Sequence, residues 1–181
     1  VSNGFMQAVP PQDAIITHDS GSPRDQITPF YKSNGARTYI GWGKSHGLGT
    51  GLGLIIGAKL ADPEKVCVNF MGDAAFGMVG LDFETAVRSD IPIITVVLNN
   101  STMAVETRQM ADSHQLYRTR DLGGNYADMA KAMGGYAERI EDPNDIIPAF
   151  QRARKKTEEG TAVLLEFITT AETEDSIRNP F

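Results

Sequence analysis

The chain is expected to form a three-layer α/β domain, with helices on both faces of a mainly parallel sheet. Three observations predict this. Six short runs rich in β-branched residues alternate with longer helical stretches. Most of those runs are apolar throughout rather than alternating, as strands covered on both faces must be. Capping and turn residues fall between them where right-handed crossovers need them.

The expected strands are residues 14–17, 37–40, 65–71, 93–98, 136–140 and 163–168. The expected helices are residues 51–61, 80–89, 126–133 and 143–158. Asn125 and Asp142 suit helix N-caps, Pro143 a first helical position and Gly134 a C-terminal stop. The opening VSNGFMQAVPPQDA reads as a helix end and a turn, an abrupt start expected of a small subunit or a piece of a longer polypeptide. Residues 101–124 lose the periodic pattern, so they form either a helix plus loop or a mobile cover over an active site. The polar stretch 171–181 is expected at the surface.

A length of 181 residues suits one domain with a sizeable core. The formal charge of −6 argues against a nucleic-acid or anionic-membrane surface. The basic cluster Arg152 to Lys156 reads as a solvated helix face. A single cysteine, Cys67, cannot form an internal disulfide, and it suits a buried strand in a reducing, cytoplasmic setting. No uninterrupted apolar stretch approaches the ~20 residues of a membrane-spanning helix.

Two segments carry chemistry. HGLGTGLGLIIGAKLA, residues 46–61, places glycines at 47, 49, 51, 53 and 57. A dinucleotide fingerprint needs glycines at relative positions 0, 2 and 5. Counting from Gly47, Gly49 or Gly51, that last position falls on Leu52, Leu54 or Ile56, so a nicotinamide cofactor is not expected. The glycines serve either close backbone approach to a ligand or tight helix–sheet packing.

The second segment is a strand that ends in Gly72–Asp73–Ala74–Ala75, followed by a helix and a strand that ends in Asn99–Asn100. Both turns emerge at the carboxyl edge of a parallel sheet, where ligands collect. Asp73 offers a hard anionic oxygen and Asn100 a neutral one, the donor types Mg²⁺ takes together with phosphate oxygens.

GDAAFGMVGLDFETAVRSDIPIITVVLNN, Gly72 to Asn100, resembles the thiamine-diphosphate (ThDP) motif that starts GDG and ends NN. Asn100 stands 27 positions after Asp73, the separation typical of that motif. The resemblance extends upstream through DAIITHDSG and the glycine run, and downstream through DLGGNYADMAKAMGG. The chain thus resembles the C-terminal, diphosphate-binding domain of acetolactate-synthase-like enzymes, a group that includes pyruvate oxidase, benzoylformate decarboxylase and 2-hydroxyacyl-CoA lyase. It implies the ThDP-binding fold over residues 1–181.

The resemblance implies ThDP and Mg²⁺ as cofactors. Mg²⁺ would be ligated by Asp73, the Asn100 side chain and the Thr102 carbonyl. Gly72 opens the motif, and Ala74 and Ala75 would offer N–H groups to the diphosphate, with Gly21 and Ser22 approaching from the end of the first strand. Leu48 matches the large apolar residue that wedges under the cofactor and bends it into a V. The His46 carbonyl would accept from the cofactor's exocyclic amine, and Val105 would border the substrate pocket. The bent shape sets the cofactor's own amine against its reacting carbon, so that proximity replaces an external base. The thiazolium is then the electron sink for decarboxylation of a 2-oxo acid.

Several residues depart from the family pattern. Ala74 stands where Gly is usual, Ala75 where Ser is common, His46 where Gly is usual, Pro23 where many relatives are polar, and Gln109 where acetolactate synthases have Trp. A catalytic residue is not expected in this chain. The glutamate that activates the cofactor belongs to a pyrimidine-binding domain, usually of a neighbouring subunit in a homodimer or homotetramer. Glu84 and Glu106 are expected on solvated faces. The function implied is the ThDP–Mg²⁺ domain of a 2-oxo-acid carboligase or decarboxylase, inactive without its partner domain. Alternatives are the same domain of a 2-hydroxyacyl-CoA lyase or pyruvate-oxidase-like enzyme, or a non-catalytic binding module that keeps the fold.

Overall fold

The computed structural model describes residues 1–41, 47–107 and 109–172. Its elements run α1 (Ser2–Ala8), β1 (Ala14–His18), α2 (Ser22–Ile27), β2 (Tyr39–Ile40), α3 (Thr50–Ala61), β3 (Val66–Gly72), α4 (Asp73–Val79) and α5 (Asp82–Arg88). They continue with β4 (Ile94–Asn99), α6 (Ala111–Tyr117), α7 (Tyr126–Ala132), β5 (Tyr136–Ile140), α8 (Ile146–Glu158) and β6 (Val163–Ile168). The six strands form one parallel sheet in the order β2-β1-β3-β4-β6-β5.

Residues of alternate parity along each strand enter two separate cores, because successive side chains point to opposite faces. Ile15, Cys67, Met71, Val97 and Leu164 pack under α3, α4, α5 and α7 through Leu52, Ile55, Phe76, Phe83 and Ala127. Ile16, Val68, Phe70, Val96 and Leu165 pack under α1, α2 and α8 through Phe5, Ile27, Ala149 and Phe150. Three layers result, as the sequence predicts. Large rings anchor the second face: Phe150 stacks on Phe167 with centroids 5.4 Å apart, and Phe5 meets Phe70 edge-on at 5.2 Å. Each fully buried Phe contributes roughly 1.5–3 kcal/mol of apolar burial. Cys67 is buried on β3, and burial pushes its thiol up to about 11, which keeps it protonated and inert near neutrality.

The helix ends follow the capping expectations. The Asn125 side chain accepts from the Asp128 N–H at 2.9 Å, the Asp142 side chain accepts from the Asn144 N–H at 2.8 Å, and Gly134 adopts a positive φ of 92°. The Arg152–Lys156 face is solvated and paired, with Arg152 bound to Glu138 at 2.6 Å and Lys156 to Glu159 at 2.7 Å.

Three boundaries differ from expectation. The run at 37–40 yields only the two residues of β2, because Arg37 sits in the left-handed region at φ 64° and cannot extend the strand. The helix expected at 80–89 is α5, which starts only at Asp82, and a separate helix, α4, precedes it across Gly80 and Leu81. Helix α8 is preceded by a 3₁₀ turn over Pro143–Asp145. Residues 101–124 contain a 3₁₀ turn at Ala104–Thr107 and α6, which is the helix-plus-loop arrangement. That segment is tied back on itself where Met103 N–H donates to the Arg120 carbonyl at 2.9 Å and Leu122 N–H to the Ser101 carbonyl at 3.0 Å.

Helix α3 lies unusually close to the sheet. Thr17 Oγ1 lies 2.9 Å from the Gly51 carbonyl and 3.0 Å from Asn69 Oδ1. A Cβ at Gly51 would run into Asn69 Oδ1 and come within 3.1 Å of the His18 carbonyl oxygen. Gly51→Ala is therefore expected to destabilise the fold by about 1–3 kcal/mol despite its better helix propensity. A urea-unfolding midpoint equal to or above that of the wild type would contradict this.

Candidate functional site

The strand order places a topological switch at β1 and β3. The chain leaves β1 toward β2 on one side and leaves β3 toward β4 on the other, so a crevice opens between the carboxyl ends of β1 and β3. Ligands of doubly wound sheets bind in such a crevice. A cavity of about 410 Å³ occupies it. Of the residues singled out from the sequence, Gly21, Ser22, Leu48, Gly72, Asp73, Ala74, Ala75, Asn100, Thr102 and Val105 all line this one cavity. The His46 expectation lies outside the described residues. A larger depression of about 730 Å³ opens at the opposite, amino edge between residues such as Lys59, Asp90 and Glu158, and it touches none of the residues singled out for ligand binding.

Asp73 begins α4 directly after β3 and is only 3% exposed. Its Oδ1 accepts from the Ala74 N–H at 2.9 Å and its Oδ2 from the Ser101 N–H at 2.8 Å. Burial raises its carboxyl above the usual carboxylate range, and these backbone N–H groups pull only part of the way back. Among the described residues no Lys or Arg side chain forms an ion pair with it. A buried carboxylate so placed calls for a cation.

The Asn100 side-chain oxygen accepts from the Thr102 N–H at 3.1 Å, which curls the chain around Ser101. Ser101 holds a left-handed φ of 58°. Among the described residues no three His, Cys, Asp or Glu side chains converge. A cation here would rest on one carboxylate with amide, carbonyl and phosphate oxygens, the hard set that Mg²⁺ takes. The residues present fit that ion.

On the β1 side, Gly21 adopts φ 83° and precedes α2, whose first turn contains Pro23. A Cβ at Gly21 would lie 3.8 Å from Val105 Cγ2, so the loop after β4 folds across the turn after β1. Leu48 is half-buried and packs against the core under α3 while facing the cavity. The N–H of Ala74 is turned onto the Asp73 carboxylate, whereas Ala75 is buried in the first turn of α4.

Sequence reasoning passed over two buried carboxylates. Asp19, fully buried, accepts from the N–H groups of Ser20 at 2.8 Å, Gly49 at 2.9 Å and Gly51 at 3.3 Å, and so fixes the loop that carries Leu48. An Asp directly after a strand and upstream of a glycine run was the available signal. Glu166, also fully buried, is treated below. Glu106 is half-buried and lines the cavity, while the Glu84 side chain reaches solvent and pairs with Arg88 at 3.2 Å as expected. His18 is buried with its ring beside Tyr39, centroids 5.4 Å apart, and is not part of the cavity wall.

A doubly wound parallel sheet with a carboxylate, an amide and glycine-rich turns at its switch point defines a domain that holds a phosphorylated cofactor. Comparison with known proteins names it. Residues 19–167 match the family model described as thiamine pyrophosphate enzyme, C-terminal TPP binding domain, and the chain belongs to this family. It is 28% identical over 179 residues to sulfoacetaldehyde acetyltransferase of Alcaligenes xylosoxydans xylosoxydans, covering 96% of this chain and 29% of that protein. It is 29% identical over 150 residues to the acetolactate synthase large subunit of Mycobacterium tuberculosis, covering 82% of this chain and 27% of that protein. The chain thus spans under a third of the length of these relatives. Among solved structures, benzoylformate decarboxylase from Polynucleobacter necessarius superposes with a TM-score of 0.79 at 19% identity, over 96% of this chain and 33% of that one. That likeness concerns the fold.

Proposed function

We propose that this domain anchors ThDP through Mg²⁺ in a carboligase or decarboxylase acting on 2-oxo acids, and that it turns over only with a pyrimidine-binding domain supplied elsewhere. The observation that carries the reading is the buried Asp73 carboxylate, facing Asn100 and Thr102 across one cavity with no cationic side chain paired to it among the described residues. Asp73, Asn100 and the Thr102 carbonyl would hold the ion. Gly72, Ala75 and the Gly21–Ser22 turn would leave room and N–H groups for the diphosphate, and Leu48 would support the cofactor from below.

The bound cofactor supplies an electron sink for cleavage or formation of a bond beside a carbonyl. The chain's own residues bind and orient. Asp73 would offset part of the ion's charge, Leu48 would keep water from its wall of the cavity, and Val105 would narrow the cavity from the loop after β4. The relatives include an acetolactate synthase and an acetyltransferase, which supports the carboligase reading over a simple decarboxylase. A 2-hydroxyacyl-CoA lyase or pyruvate-oxidase-like enzyme would use the same anchor. A homodimer or homotetramer would bring in the activating glutamate, because neither Glu84 nor Glu106 stands in a pyrimidine-domain motif.

The test is an assay of pyruvate consumption with ThDP and Mg²⁺. The 181-residue chain alone is expected to be inactive, and the full-length protein that carries it is expected to turn over. Robust turnover by the lone chain would overturn the reading.

A further inference from the structure

We infer that Glu166 is a positioning residue for the cation site, acting through Asn99 and Ser101; this rests on the reading of Asp73, Asn100 and Thr102 as the Mg²⁺ ligands. Glu166 lies within β6, between β4 and the edge strand β5, and its side chain is 0% exposed. Its Oε1 accepts from Asn99 Nδ2 at 2.7 Å and from Arg139 Nη1 at 3.0 Å, and its Oε2 from the Ala127 N–H at 2.9 Å. Asn99 closes β4, one residue before Asn100.

An ionised carboxylate only accepts hydrogen bonds. Glu166 therefore draws the Asn99 NH₂ toward itself and leaves the Asn99 oxygen facing Ser101. That oxygen accepts from Ser101 N–H at 3.0 Å and from Ser101 Oγ at 3.2 Å. The same Ser101 N–H reaches Asp73 Oδ2 at 2.8 Å. Ser101 occupies the left-handed region, which a non-glycine residue keeps only where its surroundings hold it. The turn it makes sets Asn100 and Thr102 on either side of the site, with the Thr102 N–H on Asn100 Oδ1. A chain of contacts thus runs from Glu166 to the carboxylate that would hold the ion, without Glu166 touching that ion.

The bland reading is that Glu166 merely completes an ion pair with Arg139. The two readings separate experimentally. In Glu166→Gln one nitrogen must replace an oxygen, so a donor faces a donor either at Ala127 or, with the amide turned over, at Arg139 and, after Asn99 flips, at Ser101. In the double variant, Glu166→Gln with Asn99→Asp, the polarity is restored toward residue 99 and Ser101, while Arg139 gives up its acceptor and turns to Glu141. The new amide on β6 donates to the new carboxylate at the end of β4, and that carboxylate still accepts from Ser101. Arg139→Ala removes the ion pair and keeps the Glu166–Asn99 bond.

The measurement is Mn²⁺ affinity in the full-length protein with ThDP present, read from the electron paramagnetic resonance of free Mn²⁺, beside the unfolding midpoint without metal or cofactor. Glu166→Gln is expected to weaken Mn²⁺ about tenfold or more, in line with ligand-orienting partners elsewhere. The double variant is expected to recover most of that loss. Arg139→Ala is expected to lower the midpoint and leave Mn²⁺ affinity within about twofold. Wild-type affinity in Glu166→Gln, or an equal loss in Arg139→Ala, would overturn the inference and spare the site reading. Wild-type protein that ignores Mn²⁺, or binds it equally well after Asp73→Ala, would sink both. Should Glu166→Gln not fold, the double variant decides: near-wild-type affinity supports the polarity argument, and a loss of about tenfold overturns it.

Discussion

Replacing Asp73 with alanine is expected to abolish cation-dependent cofactor binding, raising the apparent dissociation constant for ThDP with Mg²⁺ by about 100-fold or more. Removing a residue that only orients a ligand commonly costs about 10–100-fold, and removing the sole anionic ligand costs at least as much. Calorimetric titration of the full-length protein would show it, and tight Mg²⁺-dependent binding by the variant would refute the site. The same residue sets a pH dependence. Burial lifts the Asp73 carboxyl above its ordinary value of 3.8. Metal binding needs the charged form, so protons compete at a higher pH than they would for an ordinary aspartate. Without metal the sign is the reverse of the usual carboxylate case. Protonated Asp73 contributes stability that is fully present below 3.8 and is lost as pH rises through the raised folded value. Cation affinity should therefore fall on acidification at a higher pH than an ordinary aspartate would give, and apo stability should gain from the same acidification at this group.

The second large effect is expected at Asp19. Asp19→Ala removes the acceptor for Ser20, Gly49 and Gly51 N–H groups in a fully buried position. Each buried donor left unmade costs about 1–3 kcal/mol, and some find other partners, so a loss of about 3 kcal/mol is expected. Because Leu48 directly precedes Gly49, cofactor affinity should fall along with stability. Asp19→Asn, which keeps one acceptor oxygen, should lie between. Denaturant midpoints would decide it, and a change under about 1 kcal/mol would show that the loop is held by other means.

The contrast between these two aspartates shows what a sequence reveals. Asp73 was legible because its companion Asn100 directly follows the next strand of the same β-α-β unit, so spacing brings both turns to one sheet edge. Asp19 was not legible as an anchor, because its partner Gly49 lies 30 residues on and belongs to the crossing helix. Glu166 is further still, 67 residues from Asn99. Its strand reads as continuous apolar sequence with one anomalous charge, and only the sheet order shows what that charge faces. The strands themselves were plain because burial on both faces leaves uniform apolar runs. Helix α2 was hidden by Pro23 and its small neighbours, which also suit a turn. Helix α4 was hidden because its segment, Asp73–Val79, is short and rich in alanine and glycine.

The sheet order has a further bearing on how such a domain is made. Strand β6 follows β5 in the chain yet lies between β4 and β5. Strand β5 therefore has no partner until β6 slides into an interior slot, and the β4 edge that ends in Asn99 waits open until then. Long-range parallel pairings of this kind form late and leave sticky edges while they wait. The arrival of β6 seals that edge and delivers the Glu166 carboxylate to Asn99 in a single event. Completion of the domain and readiness of its metal turn thus coincide, so a half-built chain would offer a cofactor an unfinished seat.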